Sequence, residues 1–325
     1  REEGQSLCEW PASTRVVAAI KEAKYSSQHC SILVMRAALA IPLTIAAMAQ
    51  HATAAPCPSQ GVPDSDADRL NVMIYRGTSG CEGCSESVQV LLESAYPDIN
   101  VTFAGPDEDV QINAESLRQV DIFVQLGGPD LEQAWEEAKP YAVDMRDFVA
   151  RGGWSLGFCL GAFLAGPDTG FGSIPEGDKA AREIERPNSQ VDDIEDTVIQ
   201  VDWTFSTGKK QGTTERERWL YFQDGAAFIL SDHSPMTVLA RYSQNGDVAS
   251  TLNAFGQGWV ANVGPHPEAD QSWYDLEDLE NPEGVRSDIG IDFVRAALGT
   301  ASRNTHDKRM AKLTAMRDLI AASED

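Results

Sequence analysis

Between residues 70 and 165, short apolar runs alternate with amphipathic stretches, and this alternation narrows the possible folds more than any other feature of the chain. Residues 70–75, 100–103, 122–126 and 154–158 are apolar runs of strand length, bounded by Gly, Pro or polar residues. Residues 85–96 place Val88, Leu91, Leu92 and Ala95 at helical spacing behind a Ser-Glu-Ser start. Residues 114–120 form a shorter helical stretch, and 131–151 a long amphipathic helix with a break before Pro140. Strands of this length separated by helices predict an α/β fold built on a doubly wound, mostly parallel sheet.

The second half changes character. Residues 197–205, 218–223, 226–230, 238–242, 248–255 and 258–263 are short runs with turn residues between them, which predicts an added antiparallel section of the same sheet. Residues 288–298 read as a last docked helix and 301–325 as a charged C-terminal helix. No repeat or flexible linker separates the halves, so 56–300 is expected to be one domain, and 325 residues at 42% hydrophobic content suffice for a substantial core.

Residues 35–55 read differently. Met35-Arg36, an apolar run to Ala49 and the small-residue stretch Ala52-Thr53-Ala54-Ala55 have the charged start, length and cleavage site of a secretory signal. The run is interrupted by Pro42 and is shorter than the roughly 20 apolar residues of a membrane span. On this reading 1–34 is a non-native or untranslated leader, and the protein is secreted, with no membrane association after signal cleavage. Beyond residue 55 the chain has 21 basic and 46 acidic groups, a net of −25, so the acidity of the whole chain, −24, belongs to the expected domain. Such a surface repels phosphate backbones and argues against nucleic acid as a partner. No cofactor is called for, and no set of His, Cys, Asp and Glu has metal-ligand spacing; the acidic stretch 275–280 reads as a solvated loop.

Secretion favours disulfides. Cys81-Glu82-Gly83-Cys84 lacks the second pair that a zinc site needs, and bridging of Cys57 to Cys81 or Cys84 is the expected arrangement. Asn100-Val101-Thr102 is a glycosylation sequon on a predicted strand.

Chemistry concentrates in two places. Gly157-Phe158-Cys159-Leu160-Gly161 sets a cysteine between glycines at a strand-to-helix junction, where a nucleophile elbow needs small neighbours around a strained central residue. The alternative is a buried structural cysteine beside two packing glycines. Val263-Gly264-Pro265-His266-Pro267-Glu268 follows an apolar run, so His266 and Glu268 can supply the base and its orienting carboxylate. His233 is the rival base; His306 sits in the charged tail.

Together with Tyr75-Arg76-Gly77, Leu126-Gly127-Gly128-Pro129-Asp130 and Tyr221-Phe222-Gln223-Asp224-Gly225, these motifs resemble the class I glutamine amidotransferase-like superfamily, and within it the biotin-protein ligase N-terminal domain family, in its stand-alone secreted fungal form. The resemblance implies a flavodoxin-like sheet, Cys159 as nucleophile, His266 as general base and acid, and Glu268 as orienting carboxylate. It also implies an oxyanion hole from the backbone amides of Gly127, Gly128 and Leu160, and a substrate pocket that includes Phe163 and Asp224. True amidotransferases usually carry Gln where this chain has Phe163, and no synthetase or ligase domain follows, which argues against glutamine as substrate. The expected function is a cysteine hydrolase acting on an amide or related acyl bond of a small molecule. The alternatives are a catalytically silent small-molecule binding protein and a thiol-disulfide protein using Cys81 and Cys84.

Overall fold

The computed structural model describes residues 69–167 and 169–299, all within the unit Val62–Asp325. The leader, the signal-like segment, Cys57, His306 and the charged C-terminal helix lie outside the described residues. In chain order the elements are β1 (Leu70–Tyr75), α1 (Cys84–Ala95), β2 (Ile99–Ala104), α2 (Ala114–Leu117), β3 (Ile122–Gln125), α3 (Leu131–Ala138), α4 (Ala142–Ala150), β4 (Trp154–Phe158) and α5 (Leu160–Leu164). There follow β5 (Lys179–Arg182), β6 (Thr197–Thr204), β7 (Thr214–Phe222), β8 (Ala226–Ile229), β9 (Thr237–Tyr242), β10 (Val248–Phe255), β11 (Gly258–Val263), α6 (Gln271–Leu276) and α7 (Asp288–Gly299).

The strands form one mixed sheet in the order β2-β1-β3-β4-β11-β10-β9-β6-β7, with β8 also paired to β10 and β5 to β8. From β2 to β11 every pairing is parallel, and from β11 to β7 every pairing is antiparallel. Every residue of β3 and β4 is buried, which explains why they read as continuous apolar runs rather than alternating ones. Successive side chains of β4 face opposite ways. Phe158 meets Phe293 of α7 edge to face, while Gly157 closes against the Gly161 carbonyl of α5.

Two expectations change. Residues 258–263 were expected in the antiparallel section, yet β11 runs parallel to β4 and antiparallel to β10, so it is the seam between the two regimes. Strand direction is set by which neighbour a run meets, and a short apolar run carries no direction of its own. The stretch 275–280 is not all loop: α6 reaches Leu276 and buries Tyr274, while Asp275, Asp278 and Glu280 face solvent. The helix expected over 131–151 is interrupted by the 3-10 turn Lys139–Tyr141 around Pro140, as the missing amide of proline requires.

Asp292 of α7 fastens the helix to the antiparallel part. Its buried carboxylate accepts hydrogen bonds from Trp203 Nε1, the Ser206 and Thr207 amides and the Thr207 hydroxyl at 2.6–3.0 Å.

Candidate active site

The sharpest local feature is the junction of β4 and α5. Cys159 caps α5 with φ 48° and ψ −105°, a backbone conformation that non-glycine residues adopt only where the surroundings over-determine it. Its amide donates to the Val263 carbonyl of β11 at 2.9 Å, and the Gly161 amide donates to the Leu126 carbonyl beyond β3 at 2.9 Å, so the turn is pinned on both sides. A Cβ on Gly157 would lie 2.6 Å from Asn262 Oδ1, and one on Gly161 would strike the Gln125 carbonyl, so both flanking positions require glycine. The Cys159 thiol is free, 5% exposed, and donates to the Gln223 carbonyl at 3.4 Å.

His266 lies in the loop after β11, where its amide donates to the Tyr221 carbonyl at 2.9 Å and forms a lone bridge with that residue of β7. The imidazole Nδ1 sits 2.8 Å from Glu268 Oε1, and both side chains are buried. Tyr221 stands edge-on to the imidazole at 6.1 Å and Trp273 of α6 packs against it at 5.2 Å, with the Trp273 indole N–H held by Ser87 of α1. Burial works against a charged imidazole here. The charges of Cys159 and Glu268, with hydrogen bonds to both, outweigh it and hold the His266 pKa well above the ordinary histidine value. Cys159, distant in sequence, is thus brought up to the His266–Glu268 pair. The rival, His233, is exposed in the turn at 231–234.

Gly127 borders the same spot. A Cβ there would lie 2.6 Å from His266 Cε1 and 3.5 Å from Cys159 Cβ, so only glycine leaves the imidazole room. Gly128 closes against the Ser79 carbonyl. Among the described residues, no hydrogen bond takes up the amides of Gly128 and Leu160. Phe163 packs with Ala162, Ala226, Phe228 and Val248, and Asp224, at φ 46°, forms a two-pronged ion pair with Arg182. A cavity of about 660 Å³ lined by Arg146, Phe171, Pro175 and Phe255 contains none of these residues. Among the described residues, no group of His, Cys, Asp and Glu is arranged to hold a metal ion.

Cys81 and Cys84 are bonded to each other. The expected bridge from Cys57 to one of them is therefore replaced by a local one: the Cys84 amide folds back onto the Cys81 carbonyl at 3.3 Å, and a four-residue turn brings the two sulfurs together more readily than a distant partner can. Asn100 is exposed on the edge strand β2, its side-chain amide on Asn71 Oδ1 at 3.1 Å.

Sequence reasoning missed the supports of the site. Tyr221 and Gln223 belong to a recognised motif that gave them no role, Trp273 belongs to none, and the three come to the site only through β7 and α6. Glu137 of α3 is a further case. It accepts from Tyr75, Thr78 and Ser79 at 2.5–2.7 Å and so ties the loop after β1 to the helix after Gly127-Gly128. Burial acts to raise its pKa, but hydrogen bonds from Thr78, Tyr75, Ser79 and Gln133 prevail and hold it at about 2.

No family model and no curated protein matches the chain. Among solved structures it is similar to a cytoplasmic protein from Salmonella typhimurium LT2, at 12% identity and TM-score 0.42 over 70% of this chain and 97% of that one. It is similar to a ThuA-like protein from Bacteroides uniformis at 13% identity and TM-score 0.43, over 73% of this chain and 94% of that one. A β-galactosidase from Rahnella sp. R3 aligns at 15% identity and TM-score 0.40 over 72% of this chain, which spans 31% of the enzyme.

Proposed function

We propose that this protein is a cysteine hydrolase of the class I glutamine amidotransferase-like type, resembling the biotin-protein ligase N-terminal domain family, that cleaves an amide or related acyl bond of a small molecule. The observation that carries the reading is Cys159 itself: a free thiol at positive φ that flanks Gly127 together with an imidazole whose Nδ1 lies 2.8 Å from a buried carboxylate. The order of the parallel strands, β2-β1-β3-β4-β11, supports a doubly wound, flavodoxin-like arrangement, with the site at the carboxyl ends of β4 and β11. The signal-like segment and the Cys81–Cys84 disulfide support a secreted protein.

The chemistry follows from these positions. Glu268 holds Nδ1 of His266 and leaves Nε2 for the sulfur. Cys159 Sγ attacks the carbonyl carbon, and the oxyanion forms beside the amides of Gly128 and Leu160, each such donor being worth on the order of 3 kcal/mol. His266 then protonates the leaving group, the C–N or C–O bond breaks, and a thioester remains. Water activated by His266 attacks that thioester, releasing the acid and restoring the thiol. Neither alanine nor serine at position 159 can form the thioester.

The test is mass spectrometry of the intact chain after exposure to p-nitrophenyl acetate. An acetyl group on Cys159, absent from Cys159→Ala, is the expected result. A thiol that never acylates despite native folding selects the silent binding protein instead, a reading favoured by the 5% exposure of Cys159.

A further inference from the structure

The acyl-transfer reading leaves the Cys81–Cys84 disulfide without a role, although the disulfide borders the site. Cys81 Sγ and Cys159 Cβ each lie 3.5 Å from the position that a Cβ on Gly127 would take. At the same place the Cys81 amide donates to the Gly127 carbonyl at 3.0 Å. A trans peptide points its C=O and the following N–H in opposite directions. The bond that holds the Gly127 carbonyl therefore also fixes where the Gly128 N–H points. A Gly-Gly peptide has little steric preference of its own, so this orientation has to be imposed from outside.

The turn at 81–84 imposes it. The turn is closed by the disulfide and by the Cys84 amide on the Cys81 carbonyl. On its other side the Gly80 amide donates to the Gly77 carbonyl at 3.0 Å, and Thr78 and Ser79 are bound to Glu137. The loop after β1 and the loop after β3 are thus one interlocked unit, and its only covalent cross-link among the described residues is Cys81–Cys84.

We infer that the Cys81–Cys84 disulfide is a positioning element of the acyl-transfer site. It keeps the Cys81 N–H on the Gly127 carbonyl and so presents the Gly128 N–H to the oxyanion, and its reduction by a dithiol switches acylation off while leaving the Cys159–His266 pair intact. The inference rests on the acyl-transfer reading of Cys159. In the switch, a dithiol such as dithiothreitol supplies two electrons and two protons, the S–S bond becomes two thiols, and the reductant closes to a cyclic disulfide.

Two reagents separate this role from a general structural one. Acylation by p-nitrophenyl acetate passes through a tetrahedral oxyanion, whereas alkylation by iodoacetamide does not. Both are measured at the Cys159 peptide of the full-length chain, for the oxidised protein, the dithiothreitol-reduced protein and the Cys81→Ser/Cys84→Ser variant. The expected result is that reduction and the double substitution each slow acylation on the order of 10²-fold, the cost of losing one oxyanion donor, while alkylation is unchanged. Equal loss of both reactions, or no loss of acylation, overturns the inference. A Cys159 that reacts with neither reagent in the untreated protein overturns the acyl-transfer reading itself, and this inference with it.

Discussion

At the residue scale, the site is a set of groups that each make the next one useful. Cys159 was legible because glycine on both sides of a cysteine at a strand-to-helix junction is what a tight backbone turn demands. The structure adds the reason: a Cβ on either glycine meets backbone or side-chain atoms. His266 and Glu268 were legible by their spacing in a proline-flanked loop, but the aromatic walls from Tyr221 and Trp273 were not, because edge-to-face packing between β7 and α6 leaves no local pattern. Glu268 is one of the two charges that raise the His266 pKa. Glu268→Gln should therefore move the His266 ring titration, followed by NMR, down toward the ordinary histidine value, and slow Cys159 acylation by on the order of 10²-fold or more. The sign for stability follows from the same shift. A raised folded-state pKa stabilises the native protein below the unfolded value near 6.5, and that contribution is lost as pH rises through the folded value. Wild type should lose it at high pH, and Glu268→Gln should show a smaller loss.

At the element scale, strands with an apolar pattern, continuous or alternating, were readable and β5, which has none, was not. β3 and β4 are buried on both faces and announce themselves. β5, Lys-Ala-Ala-Arg, has no apolar pattern and is a strand only because its residues pair with β8. The disulfide was misassigned for a related reason: two cysteines three apart bond when their turn folds back, and the turn here is shaped by contacts with Gly127 and Ser79. Glu137 links the stretch before that turn, Tyr75 to Ser79, to α3, holding three hydroxyl groups with one carboxylate. Glu137→Gln should cost about 1–2 kcal/mol, allowing for its partial exposure, read as a lower urea midpoint. Its depressed pKa adds stability that is present above pH 4.5, its unperturbed value, and lost as pH falls toward about 2. An acid titration of stability should therefore be flatter between those limits in Glu137→Gln than in wild type.

At the scale of the whole molecule, a parallel part that carries the nucleophile is joined to an antiparallel part that braces the base. β11 is the seam: its end supplies the carbonyl that holds Cys159 and leads into the His266 loop. Alternation of strands and helices made the first part visible in the sequence, while the direction of β11 and the order of the antiparallel strands depend on contacts between distant runs. Asp292 clamps α7 to the antiparallel part through four hydrogen-bond donors. Asp292→Asn turns one acceptor toward donors and should destabilise the domain by about 2 kcal/mol or more, with an unchanged slope in urea if both parts unfold together. The central claim, that the two parts assemble a working thiol–imidazole pair, is tested most directly by the rate at which iodoacetamide alkylates Cys159 at neutral pH in wild type and in His266→Ala. Rapid labelling in wild type that falls on the order of 10²-fold in the variant is the expected result; labelling that is equally fast in both, or absent from wild type, would contradict it.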